Sequence, residues 1–119
     1  MPYFQLTDKV LLTDSAAISR AIIRESSQAA ALLGGSPFEE AKVEQFISMA
    51  NSSVLPQVRT IEAAIFGTTV NADGYAAAVS ELKATCKLLN AYLTGVIWLT
   101  GPSMTFADVH MFTSLAPGF

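Results

Sequence analysis

Apolar residues recur at Val43, Ile47, Ala50, Val54, Val58, Ile61 and Ile65, at successive spacings of four, three, four, four, three and four. That period keeps one face of an α-helix apolar, so it predicts a single continuous buried stripe. Pro56 falls inside the run. It has no N–H for the helical ladder and its ring crowds the carbonyl one turn back, which predicts a kink over residues 52–56. A second run, Tyr75, Val79, Leu82, Cys86, Leu89 and Leu93, alternates four and three and predicts a packed seam on another long helix. Two such stripes must be covered by each other or by further helices.

Capping residues punctuate these helices. Ser36 can cap the first, with Pro37 at its first helical position and Glu39 closing a capping box. Gly67 to Gly74 reads as a polar loop, with Asp73 placed to cap the second long helix and Gly95 to stop it. Thr105 starts a last helix that runs to about Leu115, ahead of Pro117. Three residues on, Asp108 can bond back to the cap and sits at the positive end of the helix dipole. Met104 and Val109 occupy the positions of a hydrophobic staple. A capping carboxylate is held ionised and satisfied, which disfavours acid–base chemistry for Asp108.

Upstream, Tyr3–Leu6 and Val10–Thr13 read as two strands around a Thr7-Asp8-Lys9 turn, with Pro2 at the beginning of the first. Residues 15–33 read as one helix, ended by Gly34-Gly35. The expected fold is mainly α, a β-hairpin followed by four helices. Tyr3, Phe4, Leu6, Val10, Leu11 and Leu12 put apolar side chains on both faces of the hairpin. A lone hairpin is marginally stable in water, and its edges offer unpaired N–H and C=O groups. A homo- or hetero-oligomer is therefore expected, with residues 2–13 in its interface.

The 119 residues carry a formal net charge of −3 and no basic cluster, which argues against direct nucleic-acid binding. No apolar run reaches the roughly 18–20 residues of a membrane span. One cysteine, Cys86, and one histidine, His110, are too few soft ligands for a zinc site, so no metal is expected. A lone cysteine suits a reducing compartment, and no charged segment followed by an apolar core opens the chain; a cytoplasmic protein is expected.

Cys86 lies on the second seam and reads as a core thiol, since a nucleophile needs exposure and a positive neighbour. His110 has no Ser or Cys at a recognisable catalytic spacing and reads as structural. Tyr3, Tyr75 and Tyr92 read as packing residues with a polar tip. Val96, Ile97 and Trp98 are three large apolar residues in a connecting segment; packing on the long helices is the first expectation for them, and a partner surface the second.

Pro2 ahead of a strand, the hairpin, and then Thr13-Asp14-Ser15-Ala16-Ala17-Ile18 resemble the end of the thioredoxin-like half of a glutathione transferase. The rest resembles that family's helical half, whose capped helix reads Thr-x-Ala-Asp as residues 105–108 do. Val43 to Pro56, Leu88 to Leu93 and Leu99 to Asp108 are similar to the elongation factor 1-gamma branch. The resemblance implies a partial thioredoxin-like segment at 1–33 and a glutathione-transferase-like C-terminal helical domain at 34–119. It implies that Asp14 and Ser15 correspond to the pair that holds glutathione, here vestigial because Asp stands where Glu or Gln is usual; an ordinary helix cap is the competing reading. Glutathione is the one cofactor it admits. The family's thiol-activating residue lies in a first strand and helix that have no counterpart here, so no catalytic residue is expected. The function it implies is a non-catalytic protein-interaction scaffold of the translation machinery, with protein subunits of the elongation factor 1 complex or a synthetase complex as partners. The alternatives are a fragment of a glutathione transferase that conjugates electrophiles, and an accessory domain of an aminoacyl-tRNA synthetase complex.

Overall fold

The computed structural model describes residues 2–67 and 71–118. Strands β1 (Phe4–Thr7) and β2 (Val10–Leu12) form an antiparallel two-stranded sheet that pairs Phe4 with Leu12, Gln5 with Leu11 and Thr7 with Val10. The register slips between Gln5 and Thr7. Among the described residues six α-helices follow: α1 (Ser15–Arg24), α2 (Ala29–Leu33), α3 (Pro37–Met49), α4 (Leu55–Ile65), α5 (Ala72–Tyr92) and α6 (Phe106–Leu115).

The helix expected over residues 15–33 is broken into α1 and α2. Ser26 is the cause: its hydroxyl donates to the Ile23 carbonyl at 2.7 Å and accepts from the Gln28 N–H at 3.2 Å. Such bonds offer the backbone an alternative to the helical ladder. Gly34 then turns the chain into α3 at φ +109°, and a Cβ there would lie 2.6 Å from the Glu40 nitrogen. Only glycine fits that close approach. Ser36 caps α3 by accepting from the Glu39 N–H at 3.3 Å. The Glu39 carboxylate reaches back one residue further than a capping box requires, to the Gly35 N–H at 2.8 Å.

The kink takes a specific form. Between α3 and α4, residues Ala50–Val54 form a π-helical turn, and Pro56 stands in the first turn of α4, where a missing N–H costs nothing. Across this turn the stripe stays buried from Val43 to Ile61, but Ile65 at the end of α4 is 66% exposed. Asn71, not Asp73, caps α5, accepting from the Gly74 N–H at 2.6 Å; Asp73 falls in the first turn. Residues 68–70 of the expected loop lie outside the described ones. On α5 the buried residues are Ala78, Leu82 and Leu89, with Val79, Cys86 and Leu93 half-buried beside them, while Tyr75 at the first turn is exposed.

The core lies where α3, the π-turn, α4, α5 and α6 meet; Val43, Ile47, Val54 and Val58 are its largest fully buried side chains. Hairpin and α1 contribute little to it. The molecule is a slab, 46 × 44 × 18 Å.

Candidate functional site

Three groups of polar residues were open to function, and the structure separates them. The first is the start of α6. Thr105 and Asp108 form a capping box, in which Asp108 Oδ2 accepts from the Thr105 N–H at 2.9 Å. Asp108 Oδ1 accepts from the Leu99 N–H at 2.9 Å, tying the preceding segment to the helix. Thr105 and Thr100 share a hydroxyl bond at 2.9 Å. Tyr92 donates to the Leu99 carbonyl at 2.8 Å, and its ring tilts against Phe46. This is an anchor for a loop, with both carboxylate oxygens engaged. Met104 and Val109, at the staple positions, both remain partly exposed. A hollow of about 190 Å³ beside it is lined by Gly34, Glu39, Thr100, Ser103 and Thr105; one Glu39 oxygen and both threonine hydroxyls are engaged within the chain.

The second is the start of α1. Asp14 caps the helix, its Oδ1 accepting from the Ala17 N–H at 2.9 Å, and Ser15 follows as the first helical residue. Both side chains are exposed. One oxygen of Asp14 is therefore committed to the cap, and among the described residues neither the other oxygen nor the Ser15 hydroxyl has a hydrogen-bond partner.

The third group could not be read from the sequence. His110 on α6 is buried, and its Nε2 lies 2.9 Å from Asn51 Oδ1 on the π-turn. Arg20 on α1 forms an ion pair with Glu44 on α3. Burial lowers the His110 pKa below the ordinary 6.5 and the charge of Arg20 lowers it further, while Asp14 and Glu44 pull it partly back. The structure thus brings Asp14, Arg20, Glu44, Asn51 and His110 to one corner, where α1, α3, the π-turn and α6 meet. Their sequence separations, 24 residues for Arg20–Glu44 and 59 for Asn51–His110, hid this. At its centre is an imidazole held by the side-chain amide of Asn51. Cys86 is half-buried against the core, and Tyr3 and Tyr75 are exposed without a bonded base. Among the described residues, no cluster of three His, Cys, Asp or Glu could hold a metal ion, and no helix is long and apolar enough to cross a membrane.

The exposed apolar residues are a different matter. Leu11 is 59% exposed and Ile22 53%, and Tyr3 and Val10 are open beside them. An apolar hollow of about 310 Å³ between α1, α2 and α6 is lined by Ser19, Ile22, Ile23, Leu32, Phe106 and Val109. A second hollow, between hairpin and α1, shares Ile22 with it. Val96 and Ile97 were expected to pack on the long helices; after Gly95, which turns the chain at φ +85°, both are exposed, while Trp98 is half-buried and Leu99 buried.

No family model matches the chain. It is 28% identical over 120 residues to the glutathione S-transferase-like protein LUC7 of a Fusarium species, a match covering all of this chain and 55% of that protein. It is 29% identical over 116 residues to elongation factor 1-gamma of Drosophila melanogaster, covering 97% of this chain and 26% of that one. The chain thus spans about half, or less, of the relatives it matches. Among solved structures, the glutathione-transferase-like domain of elongation factor 1-gamma from Saccharomyces cerevisiae superposes with a TM-score of 0.84 at 18% identity, over 96% of this chain and 55% of that domain. The fold is glutathione-transferase-like. A glutathione-transferase-like chain is expected to start α6 with a capped Thr-x-Ala-Asp, and the anchor at Thr105 and Asp108 shows what that motif does here.

Proposed function

We propose that this glutathione-transferase-like chain is a non-catalytic protein-interaction module of the translation machinery, similar in role to elongation factor 1-gamma, working in the cytoplasm within a multi-subunit complex. On this reading residues 1–33 form a partial thioredoxin-like segment and residues 34–119 the helical domain.

One observation carries the reading: the apolar surface of hairpin and α1 stands open. The chain exposes 7845 Å². A compact monomer of this length exposes about 6,200 Å², so the excess is about 1,600 Å². A standard contact covers about 800 Å² on each partner. The paired but uncovered strands supply unpaired backbone groups at an edge, which another chain can complete. Relatives at 28% and 29% identity support the family setting for both the scaffold and the enzyme.

The test is reconstitution with the purified subunits of an elongation factor 1 complex. Stoichiometric co-elution, lost in a Val10→Lys, Ile22→Lys variant that keeps its helical spectrum, is the expected result. Failure to associate with any of those subunits overturns the assignment.

A second reading, a glutathione transferase, is favoured by the free oxygen of Asp14 and the exposed Ser15 hydroxyl at the start of α1. A helix N-terminus of this kind favours a carboxylate. Calorimetric binding of glutathione that disappears in Ser15→Ala, together with conjugation of a generic electrophile above the uncatalysed rate, decides for it.

A further inference from the structure

We propose that the hairpin and α1 form a flap, clasped onto the helical domain by the Arg20–Glu44 ion pair, and that proton uptake by His110 in the same corner opens it. The inference concerns this chain alone and does not rest on the identity of a partner. Little apolar contact holds the flap down. Of the described residues 2–24, Ala16 alone is buried in the core, with Ile23 half-buried against it. Helix α1 packs chiefly on α2, and its contacts with α3 and α6 are sparse. Leu33, by contrast, is buried in the core and fixes α2. The break at Ser26 therefore lies where the moving part meets the fixed one. Residues 24–28 are all exposed there, and a serine hydroxyl replaces bonds of the helical ladder. Short segments at the ends of elements absorb the backbone rotation of a hinge.

Among the described residues, the polar tie that crosses from flap to domain is the pair of Arg20 on α1 and Glu44 on α3. The same guanidinium carries a cost of closure: its Nε is buried and has no acceptor. A buried N–H without a partner opposes the closed form, since water satisfies it once the flap lifts. His110 is buried in this corner too, with Nε2 2.9 Å from Asn51 Oδ1. An amide oxygen can only accept, so Nε2 carries the hydrogen of that bond and Nδ1 is the nitrogen that takes up a proton.

The charges that act on this imidazole are Arg20 and Asp14, from α1 and its cap, and Glu44 from α3. The π-turn supplies only the neutral Asn51, and no charge on α4 or α5 bears on it. In the closed flap, burial and then the Arg20 charge hold His110 below its ordinary pKa of 6.5, with Asp14 and Glu44 pulling partly back. Lifting α1 hydrates the ring, carries Arg20 away and leaves Glu44 without its cation. Each of these three changes favours the imidazolium; the departure of Asp14 works the other way. The open form therefore binds a proton more tightly than the closed form. Above pH 6.5 the ring is neutral in both, and the clasp is at full strength. As the pH falls from 6.5 toward the lower closed-form value, the open-to-closed ratio rises, at most about tenfold per pH unit.

The experiment is native-state hydrogen exchange on the intact chain, with intrinsic amide rates removed at each pH. Amides of residues 19–24 on α1 are compared with those of Leu82 and Leu89 on α5. Protection in α1 at least about tenfold below that in α5, and unmoved by low urea, is expected, because lifting the flap exposes little surface. Between pH 7.5 and 5.5 it should fall by about threefold or more, and His110→Gln should abolish that fall. Arg20→Met should lower α1 protection several-fold at pH 7.5 while α5 stays the slower set. It should also shrink the response to pH, because the closed form then accepts the proton more readily. Equal protection in α1 and α5 with the same urea dependence overturns the inference, since the chain then opens only as a whole. A pH response of α1 that persists in His110→Gln overturns it as well. Where that variant does not fold, an undiminished pH response in Arg20→Met does the same.

Discussion

At the scale of the residue, Asp108 does more than close a helix. Its two oxygens hold the N–H groups of Thr105 and Leu99, so it joins the start of α6 to a segment nine residues earlier. Hydrogen bonds to a charged acceptor contribute about 1.5–3 kcal/mol each, and removing the acceptor leaves part-buried donors without a partner. Asp108→Ala is therefore expected to lower stability by about 2–4 kcal/mol, more than an ordinary cap. Thr105→Ala should cost about 1 kcal/mol. The double variant should cost less than the two together, because the residues act as one unit. Urea midpoints check all three, and wild-type midpoints for both single variants would remove the anchor role. The motif was legible because caps are local. The bond from Leu99 was not, since nothing in the spacing tells which N–H a free carboxylate oxygen will meet.

At the scale of the element, the π-turn of Ala50–Val54 sets the position of Asn51, whose Oδ1 lies 2.9 Å from His110 Nε2. The histidine's folded pKa lies below 6.5, the unfolded value, because burial and Arg20 oppose its charge. Above pH 6.5 both states are neutral there and stability is complete. As pH falls below 6.5 the unfolded chain takes up the proton first, and stability declines until the folded pKa is passed. Urea midpoints at pH 7.5 and 5.5 should differ in that direction, and His110→Gln should flatten the difference. An equal slope in the variant assigns the effect to other groups. The stripe that frames this turn was readable as a period, because burial on one face imposes it. The turn itself left only two successive spacings of four, Ala50 to Val54 to Val58, which ordinary helices also show. The break at Ser26 was hidden for a similar reason: the flanking alanines, Ala21, Ala29 and Ala30, satisfy the helical pattern on both sides of it. The polar corner was invisible because its members come from four elements.

At the scale of the whole molecule, shape sets the behaviour. The radius of gyration is 16.2 Å. A compact domain of this length has about 13.5 Å. Surface left open in this way is recovered by association, so the melting temperature should rise with protein concentration, as it does whenever the folded state alone binds. Val10→Lys should blunt that rise, and a melting temperature independent of concentration in the wild type would show that the hairpin face does not self-associate or dimerise. Hairpin pairing was legible in the alternation of short apolar runs and a polar turn, but the thinness was not, because sequence periodicity describes elements and not how many layers they make. That thinness has a consequence for the backbone. In a slab 18 Å across the buried core lies among the helices, and none of the described hairpin residues belongs to it. The amides of β1 and β2 owe slow deuterium exchange to pairing alone, so they should exchange in minutes when the chain is alone and be slowed when a partner strand lies against them.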